Sequence, residues 1–218
     1  MTSSTKMEPS LYYARMITEG HIPACEALTS QCARMMEDFE VQDDKDFPYT
    51  FSTQKADRIE LFLSKLIMYE GKFSGRGFTP VLWQRWYVRS LFGWLEKDTG
   101  YRRYRKTFLT TSKGSGKKLL SSGLMLYLLL ADREPSPQLF VVASTLDQAR
   151  VIFSDAQKLT ETSPFLRGRV QTWGGAVTPK YLVTPKYGSA TVVSTESRAP
   201  SGPITQTCLL YTSPSPRD

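Results

Sequence analysis

The chain has 218 residues, 40% hydrophobic and 12% aromatic, which suffices for one or two globular units and is too apolar for a disordered chain. Its longest apolar run, residues 124–131, falls far short of the roughly 18 residues that a membrane span needs, and residues 1–8 lack a signal peptide's apolar stretch. Three cysteines, Cys25, Cys32 and Cys208, make neither a disulfide framework nor a four-ligand zinc site, so the composition is that expected of a soluble, intracellular protein.

The net charge of +7 is unevenly spread. Residues 1–70 carry 7 basic and 12 acidic side chains, whereas residues 71–118 carry 12 and 2. Such a basic block suits a polyanion, either nucleic acid or nucleotide phosphate, and equally suits a solvated basic face.

In chain order, the acidic third reads as helices. The first covers 11–18, with Ser10 as N-cap and Gly20 as stop. Pro23 suits a first helical turn, continued by 24–39. A charged loop over 43–49 precedes Ile59, Phe62, Leu63, Leu66 and Ile67, which recur at helical spacing and close at Gly71. His21, the single histidine, has no neighbouring cluster of metal-ligand type and reads as a surface residue. From Thr79-Pro80 a helix carries Leu82, Trp83, Trp86, Tyr87, Leu91, Phe92 and Trp94, mostly for packing. Residues 104–110 are a candidate strand, and 119–131 a strongly apolar helix. Leu139 to Ala143 is a short apolar run of buried parallel-strand type. Ser144 or Thr145 can cap the next helix, which carries Ala149, Val151, Ile152, Phe153 and Ala156; further strands fall at 181–183 and 190–193. Strands alternating with helices predict an α/β fold of P-loop NTPase type: a largely parallel sheet flanked by helices, preceded by an N-terminal helical segment.

Between the strand at 104–110 and the helix from 119 lies the loop Ser112, Lys113, Gly114, Ser115, Gly116, Lys117, followed by Lys118. In that context a glycine turn presents backbone N–H groups and a helix N-terminus to phosphates, and Lys117 reaches the β/γ-phosphates. Two positions depart from G-x-x-x-x-G-K-[ST]: Thr111 stands for the first glycine and Lys118 for the Mg²⁺-binding hydroxyl. A protonated lysine has no lone pair to offer a cation.

The arrangement resembles the large terminase subunit of tailed bacteriophages. The resemblance runs over about 11–207, through Tyr13-Ala-Arg15, Gly20-His-Ile-Pro-Ala-Cys25, Thr79-Pro-Val-Leu-Trp-Gln84 and Leu91-Phe-Gly-Trp94. It continues through Gly100-Tyr-Arg-Arg103, the loop, and Val142-Ala-Ser-Thr-Leu-Asp-Gln-Ala-Arg150. The resemblance implies a DNA-packaging ATPase using ATP and Mg²⁺, with Lys118 placing the metal site in doubt. Gln84 would read the adenine edge, Lys113 would be the basic residue inside a deviant phosphate loop, and Lys117 its usual lysine. Residues 144–148 would follow the second core strand of a translocase, or simply cap a helix. Implied partners are double-stranded DNA, the portal protein, the small terminase subunit and further copies in a ring, in the host cytoplasm and with no membrane.

ATP hydrolysis needs an apolar strand ending in an acidic pair, and nothing after Ala143 offers one; Glu196 lacks a paired acid and reads as a surface residue. The family's acidic strand and its nuclease domain would lie further on. Residues 208–218 resemble a translated sequencing-library adapter, so the natural sequence is expected to break off near Thr207, leaving an inactive fragment. The expected divisions are 1–75, an N-terminal helical segment; 76–207, the N-terminal half of an ATPase motor domain; and 208–218, an artefactual tail without packed structure. The alternatives are another P-loop NTPase of helicase-like type and a non-enzymatic basic DNA-binding module.

Overall fold

The computed structural model describes residues 7–134, 137–143, 146–173, 181–183, 189–194 and 206–209. It divides into two compact units, one of Met1–Leu61 with Thr79–Thr110 and the other of Phe62–Phe78 with Thr111–Asp218.

The first unit is mainly helical. Helix α1 (Pro9–Thr18) starts two residues earlier than expected: Glu8 is the N-cap, accepting from the Ser10 N–H, and Ser10 is buried behind it. Gly20 does follow the helix with φ +77°, the left-handed conformation that favours glycine at a helix stop. Pro23 lies ahead of α2 (Glu26–Val41), whose N-cap is Cys25, so the proline shapes the approach rather than the first turn. Tyr13, Ala14, Ile17 and Cys32 form a buried cluster with Trp83 and Trp86 packed on it. Strand β1 (Tyr49–Phe51) precedes α3 (Thr53–Ser64), which ends well before Gly71; Gly71–Phe73 is a separate 3₁₀ turn.

Helix α4 (Leu82–Gly93) begins at Pro80-Val81 and stops one residue short of Trp94, which instead opens β2 (Trp94–Glu96). The long-range pairing of β1 with β2 is antiparallel, with Phe51 opposite Trp94. The reason is close packing: Phe51 meets Trp94 edge-on and Phe39 at a tilt, with ring centroids 5.5 and 4.8 Å apart, and Trp94 is fully buried.

The second unit is α/β. Helices α5 (Lys117–Leu130) and α6 (Leu146–Thr162) accompany a five-stranded sheet. Its strands are β3 (Gln138–Ala143), β4 (Gln171–Trp173), β5 (Tyr181–Val183), β6 (Ser189–Ser194) and β7 (Gln206–Leu209), in the order β4-β5-β6-β3-β7. Strand β3 pairs in parallel with both β6 and β7, as its continuous apolar run predicts, whereas β4-β5-β6 is antiparallel. The sheet is therefore mixed, parallel only around β3. Leu139 and Val141 are buried on one face, and α6 contributes Ala149, Ile152, Phe153, Ala156 and Leu159 to the core. Phe62, from the end of α3, meets Tyr127 of α5 and Phe165 edge-on at 5.5 Å each.

Two expectations fail here. Residues 104–110 form no strand; apart from the half-buried Tyr104 and Leu109 they run exposed, with Phe108 88% accessible. A strand exists only with a ladder partner, and residues 104–110 have none among the described residues. Conversely, Cys208 and Leu209 pair with Val141 and Val142, so strand structure crosses the boundary expected at Thr207. An extended backbone satisfies the unpaired edge of β3 whatever its origin, because ladder bonds use main-chain groups alone. Ser144, Thr145, Glu196 and residues 210–218 lie outside the described residues.

Candidate functional site

Residues 111–116 make a tight turn that feeds directly into α5. Gly114 and Gly116 have φ of +83° and +81°, a conformation open to glycine at no steric cost, and Gly116 is the N-cap of α5. The first intrahelical bond runs from the Leu120 N–H to the Gly116 carbonyl at 3.0 Å. The N–H groups of the preceding turn therefore have no partner within the helix, and the helix dipole adds positive potential there.

The loop is braced from inside. Lys117 Nζ donates to the Thr111 carbonyl, and to the Ser112 carbonyl at 2.9 Å. Ser115 Oγ donates to the Ser112 carbonyl at 2.9 Å and is hydrogen-bonded to Thr111 Oγ1. Thr111, a mismatch by sequence pattern, is thus an anchor of the turn, a role that spacing alone does not signal. Behind the loop, Ser122 is fully buried, with its Oγ 3.0 Å from both the Lys118 and Ile152 carbonyls, so α5 is keyed to α6 one turn below the site.

Of the expected site residues, Ser112, Lys113, Gly114, Ser115, Gly116, Lys117 and Lys118 come together in this turn. Ser112, Lys113, Gly114, Gly116 and Lys118 are exposed, and Ser115 and Lys117 are half-buried. Gln84 belongs to the first unit, where it is buried on α4 and its Oε1 accepts the Val81 N–H at 3.1 Å, closing the helix N-terminus.

Much of the basic block is spent within the first unit. Arg89 is buried and donates to Glu8, Asp57 and Glu60 at 2.5, 2.7 and 2.7 Å. Burial pulls its pKa down, but its bonds to Glu8, Asp57 and Glu60 outweigh this and raise it. Arg85 pairs with Glu60, Arg103 with Asp38 and Arg105 with Glu96. Arg85, Arg89 and Arg103 thus take their counter-charge from the acidic third, which weakens charge alone as a sign of a polyanion partner.

The loop, the helix it starts and the parallel strands around β3 make an α/β fold of P-loop type, without the expected strand leading into the loop. Residues 82–171, from α4 through the loop to the first residue of β4, match the family model described as terminase large subunit, ATPase domain. That stretch is similar in sequence to the ATPase domain of large terminase subunits. The fold is similar to the crystal structure of the bacteriophage HK97 large terminase, at a TM-score of 0.55 and 19% identity. The likeness covers 68% of this chain and 29% of that one, so the chain spans under a third of the matched protein. A search of curated proteins gave no significant match. The helicase-like and non-enzymatic alternatives are not favoured. No helix among the described residues is long and apolar enough to cross a membrane.

An ATPase domain of this class pairs its nucleotide with Mg²⁺, held by the hydroxyl that follows the loop lysine. The donor set here does not fit that ion. The first turn of α5 reads Lys117, Lys118, Leu119, Leu120, with no oxygen-bearing side chain. Ser115 and Thr111 turn their hydroxyls into the loop, and no cluster of three or more His, Cys, Asp or Glu suited to a metal occurs among the described residues.

Proposed function

We propose that this chain is an N-terminal part of the large terminase subunit, the ATP-driven motor that moves viral double-stranded DNA into a procapsid. Its phosphate site would be Ser112, Lys113, Gly114, Ser115, Gly116, Lys117 and Lys118, with the loop N–H groups and lysines binding the phosphates. Gln84 would read the adenine edge, since one amide can donate and accept together. In the full-length protein we propose a ring of copies acting with portal protein and small terminase subunit in the host cytoplasm, and a nuclease domain beyond this stretch. The chain as it stands would bind nucleotide without hydrolysing it, because the acids for that chemistry are not among residues 1–207.

The observation that carries this reading is the braced glycine turn at the start of α5, inside the stretch that matches the family. The test is equilibrium binding of ATP to the whole chain and to Lys117→Ala. Loss of affinity by about tenfold or more in the variant is expected, equivalent to about 1.4 kcal/mol. Equal affinity, or no ATP binding by the parent chain, would overturn it.

A further inference from the structure

The mismatch between the donor set and Mg²⁺ has a chemical meaning of its own. We infer that Lys118 takes the place of the metal, so that this loop is a metal-independent site for a nucleoside triphosphate. The inference rests on the nucleotide reading above and adds how the phosphate charge is neutralised.

Lys118 is the second residue of α5, and its side chain is exposed with no carboxylate partner among the described residues. Its carbonyl is fixed from behind by the buried Ser122 hydroxyl, so the backbone from which the ammonium projects is held in place. Lys113 projects from the exposed rim of the same turn. Lys117 already spans the loop through the Thr111 and Ser112 carbonyls. Three lysines thus fall within six residues at the N-terminus of α5, where phosphates bind, and Lys113 and Lys118 are exposed there.

A lysine ammonium carries three donors and no acceptor. It can bond phosphate oxygens directly, and it repels a divalent cation held at the same place. Free ATP also carries more negative charge than its magnesium complex, so a lysine-only site favours the metal-free form. A hydroxyl at position 118 would reverse that preference by restoring a ligand for the metal.

The experiment is calorimetric ATP binding by the whole chain in excess EDTA and in excess Mg²⁺, for the parent sequence, Lys118→Thr and Lys118→Ala. The exposed position keeps the fold intact in both variants, which circular dichroism checks. The parent should bind ATP in EDTA at least as tightly as in Mg²⁺. Both variants should lose about tenfold or more in EDTA, and only Lys118→Thr should regain affinity when Mg²⁺ is added. Binding of ATP by the parent only with Mg²⁺ would overturn the inference while leaving the nucleotide reading standing. EDTA binding unchanged in both variants would also overturn it. No ATP binding under either condition would overturn the inference and the nucleotide reading together.

Discussion

Replacing Arg89 by methionine removes the guanidinium while keeping most of the buried stem volume. Three carboxylates then lose a partner, but not equally. Asp57 is 62% exposed and is solvated without it, so its share is small. Glu60, 20% exposed, keeps Arg85 at 2.5 Å. Glu8 is 13% exposed, its bond to Arg89 is 2.5 Å, and its remaining partner is the neutral Ser10. Stranding one charge of a buried pair costs about 3–5 kcal/mol. With Glu8 as the chief casualty, the lower end applies, and Arg89→Met should cost about 3 kcal/mol. Urea unfolding followed by the fluorescence of Trp83, Trp86 and Trp94, all in the first unit, measures it. Glu8→Gln keeps an acceptor for Ser10, and its combination with Arg89→Met should cost clearly less than the two single losses added together. A loss below about 1 kcal/mol for Arg89→Met, or strict additivity with Glu8→Gln, would refute the reasoning.

Further outcomes follow from other contacts. Gly93→Ala would place a methyl 2.4 Å from a Phe51 ring carbon, and that ring is wedged against Phe39 and Trp94. It should destabilise the first unit by about 1–3 kcal/mol in the same urea assay. Tyr69→Phe removes the hydroxyl that donates to Asp155 at 2.5 Å, and should cost about 1 kcal/mol in thermal unfolding of the second unit. Burial pushes the Cys32 thiol up to about 12 from its ordinary 9.0. A raised folded pKa means that the contribution is whole below pH 9.0 and is lost as pH rises towards 12. Unfolding curves across that window should show an alkaline decline that Cys32→Ala lessens, and an identical slope in the variant would contradict this.

The parts legible in the sequence were those with local signals. Leu139 to Ala143 reads as a buried parallel strand, and it pairs in parallel on both sides. Of Ile59, Phe62, Leu63, Leu66 and Ile67, the first three form a buried face of α3, whereas Leu66 and Ile67 lie beyond its end at Ser64, Leu66 buried and Ile67 half-buried. The loop declares itself through Gly114, Gly116 and Lys117, because the glycines serve φ values that few other residues adopt. What was not legible depends on distant partners. Glu8 and Arg89 are 81 residues apart, so the acidic and basic segments read as separate patches until folding joins them. Residues 104–110 have strand-like composition, yet pairing is decided by which edges are available. Trp94 fits the helical stripe of α4 but is drawn into β2 by Phe51 and Phe39. The anchoring role of Thr111 depends on a carbonyl and a hydroxyl turning inward, which no residue spacing encodes.

The central claim is that nucleotide phosphates bind at the turn before α5, and not simply on the basic block. Amide hydrogen exchange of the whole chain, with and without saturating ATP, tests this most directly. New protection should fall on residues 112–119, while residues 102–106, basic and outside the turn, exchange as before. Protection confined to 102–106, or none in the turn at saturation, would contradict the account.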